Sequence, residues 1–264
     1  MKPLTGAPTP TPLLEARAIT VRFGGLQAVG DLDMAVAPNA IHGLIGPNGA
    51  GKTTVLNVLT GFVRPTEGQL VFDGAEISGL GVNGFARRGL ARTFQNIRLF
   101  GAMTVLESVL VGAHQRFSAN ALSLVFGRRA ARAAEAAMIA RAYELLAFVG
   151  LGPEVADRVA TTLSYGHQRR VEIARALISA PKLLLLDEPL AGMNAVEKAE
   201  IADLVRQVRA QGIAVLLIEH DMQVVRRLCD HLTVLEYGRK LADGAPEQVL
   251  ADPAVQAAYL GRAR

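Results

Sequence analysis

The sequence predicts an α/β nucleotide-binding fold, a parallel-rich sheet with helical crossovers into which an α-helical subdomain is inserted. The basis is threefold. An apolar run ending at Ile45 leads into GPNGAGKTT and then an apolar helical pattern from Val55 to Leu59, the strand, loop and helix that open such a fold. The apolar runs KLLLLDEP and IAVLLIEH have strand length and end in charge, and a helical pattern from Ala195 to Ala210 separates them, as parallel strands with a crossover require. Between about 92 and 162 strand-like runs give way to alanine-rich sequence, RRAARAAEAAMIARAYELLAFVG being the longest stretch, and that composition favours helix.

Taken in order, residues 1–12 are rich in Pro and Thr without apolar periodicity and read as a flexible tail. Residues 13–91 form the N-terminal part of the core. Short β-favouring runs occur there at Ala18 to Val21, Ala40 to Ile45 and Gln69 to Phe72, separated by Gly, Pro, Asn and Asp. Residues 92–162 form the helical subdomain, in which Arg132 and Glu135, and Arg141 and Glu144, lie three apart and can pair on an exposed face. Residues 163–232 return to the core. Residues 233–264 read as a short sheet, with a hairpin around Gly238, and a helix ending at Tyr259 to Leu260.

With 50% hydrophobic and 20% charged residues the chain has ordinary globular composition, so a real core is expected. The net charge of +4 is spread along the sequence, and no block of basic residues resembles a nucleic-acid arm. The one cysteine, Cys229, can form neither an internal disulfide nor a multi-cysteine metal site. No window approaches 18 uninterrupted apolar residues, and the proline-broken start lacks an apolar export segment.

Gly46, Pro47, Asn48, Gly49, Ala50, Gly51, Lys52 and Thr53 satisfy G-x-x-x-x-G-K-[ST] in the required place between strand and helix. Glycines let successive N–H groups face inward, the helix start adds partial positive charge, and Lys52 reaches the β and γ phosphates. Thr53 supplies a hydroxyl for Mg²⁺, with Thr54 beside it. At the end of the Leu183 to Leu186 run, Asp187 would hold the Mg²⁺ shell and Glu188 would polarise the attacking water. These features alone specify a P-loop NTPase, a class that includes kinases, GTPases, helicases and transport ATPases.

LSYGHQRRVEIARAL, residues 163–177, resembles the signature helix of ABC ATPases and lies just upstream of the Asp187 strand. The resemblance implies a P-loop ABC ATPase core with an antiparallel N-terminal β part, ATP and Mg²⁺ as cofactors, and a head-to-tail dimer. In that dimer Ser164, Tyr165, Gly166 and His167 would face the γ-phosphate bound by the opposite subunit, His167 standing where the family has Gln or Glu. The resemblance extends to Phe23 as the aromatic on adenine, Gln95 as the Gln-loop residue joining the Mg²⁺ shell and sensing the membrane partner, and His220 as the switch histidine. Asn194 replaces the aspartate common in the loop after Glu188, where its amide could still bond across a dimer.

FGGLQAV, ARTFQNIRLFGAMTVLESVL and DPAVQAAYLG resemble the larger ATPase of high-affinity branched-chain amino acid importers. That subgroup implies a second ATP-binding subunit, identical or homologous, two transmembrane permeases, a periplasmic substrate-binding protein, and a peripheral location on the cytoplasmic face of the inner membrane. Relatives serving urea, amides or lipopolysaccharide export leave the cargo open. A soluble ABC protein would need tandem cores, coiled coils or zinc cysteines, and the 163–177 motif argues against a kinase.

Overall fold

The computed structural model describes residues 11–114 and 128–260, with backbone alone at 128–131 and 260. The tail expected over 1–12 lies outside the described residues apart from Thr11 and Pro12. The N-terminal half runs β1 (Leu14–Phe23), β2 (Leu26–Val36), β3 (Ile41–Ile45), α1 (Lys52–Val58), β4 (Glu67–Phe72), β5 (Ala75–Glu76), α2 (Val82–Arg88), β6 (Leu90–Arg92) and α3 (Val105–Val111). There follow α4 (Arg128–Phe148), α5 (Tyr165–Leu177), β7 (Leu183–Asp187), α6 (Ala195–Ala210) and β8 (Ala214–Ile218). The chain continues through α7 (Met222–Leu228), β9 (His231–Glu236), β10 (Arg239–Gly244), α8 (Pro246–Ala251) and α9 (Pro253–Leu260).

Two sheets result. One is antiparallel, in the order β2-β1-β4-β5, and the other runs β10-β9-β3-β8-β7-β6 with every pair parallel except β9 and β10. Strands β7 and β8 are buried at all five residues each. The alternating side chains serve opposite cores. Leu184, Leu186, Val215 and Leu217 pack towards the helices, while Leu183, Leu185, Leu216 and Ile218 pack with β1, β2 and α1. A sheet covered on both faces accounts for uninterrupted apolar runs, and each buried leucine contributes about 2 kcal/mol.

Strand β2 escapes the sequence reading because Gly30, Asp31 and Asp33 resemble turn residues. Asp31 takes φ 52°, a local irregularity inside a strand whose second half alternates buried and exposed. In the helical part, α4 buries Ala142, Leu145 and Leu146, a helical stripe that packs on α3 and α5. Arg141 and Glu144 pair at 2.8 Å on its exposed side. Helix α5 lies against α3, α4 and β6 together, so it joins the helical part to the sheet. The carboxyl ends of β3, β7 and β8 lie side by side, which is where open α/β sheets collect their functional loops.

Candidate functional site

After β3 the chain turns through Gly46, Gly49 and Gly51 with φ of 149°, 79° and 103°, values that side chains beyond glycine rarely adopt. A Cβ on Gly46 would also run into the carbonyl oxygen of Leu235. Buried Pro47 and exposed Asn48 lie between, and Ala50 closes the loop by donating to Pro47 O at 3.1 Å and accepting from Gly238 N at 2.9 Å. Helix α1 starts at Lys52 with no side-chain cap, so its first amides suit an anionic ligand. Lys52 bends back over the loop, its Nζ 2.6 Å from Gly46 O and 2.9 Å from Pro47 O. Thr53 is exposed and Thr54 half-buried at the same helix start.

Asp187 ends β7 and Glu188 follows it, in different surroundings. Asp187 is buried and paired with Arg92 at 2.9 Å. Arg92 also donates to Asn57 Oδ1 at 2.7 Å and lies over the Phe94 ring at 4.9 Å. Burial pulls the Arg92 pKa down, and Asp187 opposes the shift. Glu188 adopts φ 45°, and its N–H bonds Ile218 O at 3.0 Å. Gln95 Nε2 donates to Glu188 Oε2 at 3.0 Å, and His220 Nδ1 stands 3.9 Å from the same oxygen, beyond hydrogen-bond length. Gln95 thus contacts, and His220 approaches, one carboxylate oxygen of Glu188.

Behind them Glu219 is buried and accepts from Leu190 N at 2.9 Å and His220 N at 3.3 Å. Burial pushes its pKa up, against the pull of those backbone donors. It ties the loop after Glu188 to the loop carrying His220.

Ser164 caps α5, its hydroxyl oxygen accepting from His167 N at 3.4 Å. Tyr165 is partly exposed, His167 is exposed, and Gly166 is buried where an added Cβ would lie 3.2 Å from Glu197 Oε1. Phe23 is exposed at the end of β1, on the other sheet, before a turn at Gly24 with φ 57°. Asn194 Oδ1 accepts from Val196 N at 2.9 Å and Glu197 N at 3.0 Å, so this side of the amide is engaged as a helix cap. The spacing Asn194 to Glu197 is the capping-box signal, legible in sequence but not read there. Arg92, Arg169, Glu172 and Glu219 were also missed; Glu219 ends an apolar run, a signal in sequence, whereas Arg169 stands among His167, Gln168 and Arg170 and carries none.

Among the described residues no group of three His, Cys, Asp or Glu side chains could hold a metal by itself. A hydroxyl at Thr53, a carboxylate at Asp187 and an amide oxygen at Gln95 are hard donors, few in number, and so fit Mg²⁺ that is shared with phosphates.

An ABC transporter family model matches residues 29–191, the stretch that holds the phosphate loop, Gln95, the 163–177 helix and Glu188. The chain belongs to the ABC transporter family. It is an ATP-binding cassette and an ATPase. A second model, described as branched-chain amino acid ATP-binding cassette transporter, matches residues 239–264. The cassette is 47% identical over 253 residues to the high-affinity branched-chain amino acid transport ATP-binding protein BraF of Pseudomonas aeruginosa, covering 96% of this chain and 99% of that one. It is similar in structure to an ABC-transporter cassette solved in its ADP conformation, with a TM-score of 0.82, 32% identity and coverage of 96% and 100% of the two chains. A dimeric post-hydrolysis cassette bound to ADP and Pi gives a TM-score of 0.72 at 26% identity, covering 88% of this chain and 98% of that one.

Proposed function

We propose that this cassette powers an importer of branched-chain amino acids, working as one of two ATP-binding subunits beneath two permeases and a periplasmic substrate-binding protein. Near full-length similarity to BraF and the matched C-terminal segment support the cargo. The observation that carries the catalytic reading is the convergence of Gln95 and His220 on Glu188 Oε2.

In this reading Phe23 stacks on the adenine, and residues 46–54 cradle the phosphates through backbone N–H groups and Lys52. Thr53, Asp187 and Gln95 would hold Mg²⁺, which neutralises developing charge on the phosphates. Glu188 takes the proton of the attacking water, and His220 holds the γ-phosphate end of the site. Ser164, Tyr165, Gly166 and His167 close the site of the opposite subunit, so ATP favours the closed pair and hydrolysis releases it. A groove of about 510 Å³ lined by Phe62, Phe94, Arg98 and Phe100 opens beside Gln95. Its exposed Phe62 and Phe100 suit a permease segment, which would place the cassette on the cytoplasmic membrane face. No helix among the described residues is long and apolar enough to cross a membrane. Residues 13–91 and 163–232 serve as the nucleotide-binding core, 92–162 as the helical subdomain and 233–264 as the C-terminal sheet and helix.

The test is Glu188→Gln protein assembled with its partners. The expected result is a kcat lower by about 10² to 10⁴-fold, with ATP trapping the closed pair. A normal rate overturns the role of Glu188. Copurification with two permeases and a second ATPase, and ATP-dependent leucine uptake by the assembly, test the importer; uptake of urea or an amide alone would move the cargo.

A further inference from the structure

Among the described residues Arg169 is the largest side chain buried without exposure, and it stands on the signature helix one turn after Tyr165. Its guanidinium donates to Phe94 O and Gln95 O at 2.7 Å each, and to Glu172 Oε2 at 2.7 Å. Tyr165 Oη lies 3.3 Å away. Glu172 in turn accepts from Arg98 N at 3.3 Å and Arg175 at 3.2 Å, and Arg175 donates to Arg98 O at 2.5 Å. The backbone at 94, 95 and 98 is therefore held from α5 rather than from its own strand or helix.

A buried ion pair contributes little net stability relative to apolar residues of similar volume. What the planar fork of Arg169 supplies is position: two carbonyls fixed at once, which a leucine or methionine cannot do. The Gln95 side chain then extends from that fixed backbone to Glu188 Oε2 at 3.0 Å. A continuous polar path thus runs from Tyr165 through Arg169 and the backbone of Gln95 to Glu188.

We propose that Arg169 is a positioning residue that couples the signature helix to Glu188, by holding the Gln95 backbone so that its amide stays on the carboxylate. The proposal rests on the dimer reading above, in which the start of α5 faces the opposite subunit's nucleotide. Closure on one nucleotide would then set Gln95 and Glu188 at the other. A shift of α5 by about 1 Å would move Gln95 with it, enough to cost up to about 10²-fold in rate.

A double-mutant cycle in the full chain assembled with its partners tests this. Arg169→Lys keeps a charge against Glu172 but has no fork to span both carbonyls. It is expected to lower kcat about tenfold while the KM for ATP stays within about twofold. In a Gln95→Ala background the same substitution should add less than about twofold. Equal losses in both backgrounds, or a normal kcat for Arg169→Lys, overturn the link. If Gln95→Ala alone hydrolyses ATP normally, the catalytic reading fails and the link with it; if Gln95→Ala is slow and the losses still multiply, only the link fails. A measurement without core substitution guards against misfolding. In Glu188→Gln protein, ATP should slow hydrogen exchange at 94–98 and 164–167 together, and protection confined to 164–167 overturns the link.

Discussion

His42 lies buried in β3, its ring 4.9 Å from that of His231 and its Nε2 2.8 Å from Thr233 Oγ1. Thr233 donates its hydroxyl proton to Asp243 Oδ1 at 2.6 Å, so Nε2 is the protonated nitrogen of a neutral ring. Burial first and His231 second push its pKa down to about 4, with Asp243 pulling the other way. The unfolded chain therefore binds a proton at this residue between about pH 6.5 and 4 that the folded chain does not. Stability from this residue is complete above pH 6.5 and is lost as pH falls through that window, by about 3 kcal/mol in all. Urea unfolding across it should show that slope, and His42→Gln should flatten it. Residue identity alone did not disclose this, nor the partners of Arg92, Arg169 and Glu219, because each depends on groups brought from distant segments. By contrast the glycine turns between β3 and α1, and the place of Asp187 and Glu188 at the carboxyl end of β7, are legible in sequence, since contiguous spacing alone sets them.

Helix α6 shows how much of an element a sequence can dictate. Its bounds, Ala195–Ala210, are those of the apolar periodicity, and Asn194 fixes the start by capping two N–H groups while Glu197 returns to Asn194 N at 3.1 Å. Asn194→Ala should cost about 1 kcal/mol, read as a lower urea midpoint at unchanged slope. Strands β7 and β8 were equally legible, because burial on both faces demands unbroken apolar runs. Strand β2 was not, since Asp31 and the glycine before it interrupt a pattern whose sense comes only from pairing with β1. Helix α5 was legible through its resemblance to the signature helix, but its attachment to the Gln95 loop was not, because hydrogen bonds to carbonyls leave no trace in residue type.

The molecule as a whole places one six-stranded sheet between two apolar layers and gathers its loops at one end. Glu188 sits there at φ 45°, a left-handed conformation that costs a residue with a side chain about 1–2 kcal/mol. Replacing it with glycine would remove that strain at a smaller penalty in chain entropy, so Glu188→Gly should raise Tm by about 1–2 °C while lowering kcat by about 10²-fold or more. Scanning calorimetry beside an ATPase assay reads both, and a lower Tm would show the conformation to be unstrained. Durability and work therefore compete for a single residue, and any search for sturdier variants of this chain that ignores turnover will drift towards proteins that are robust and idle.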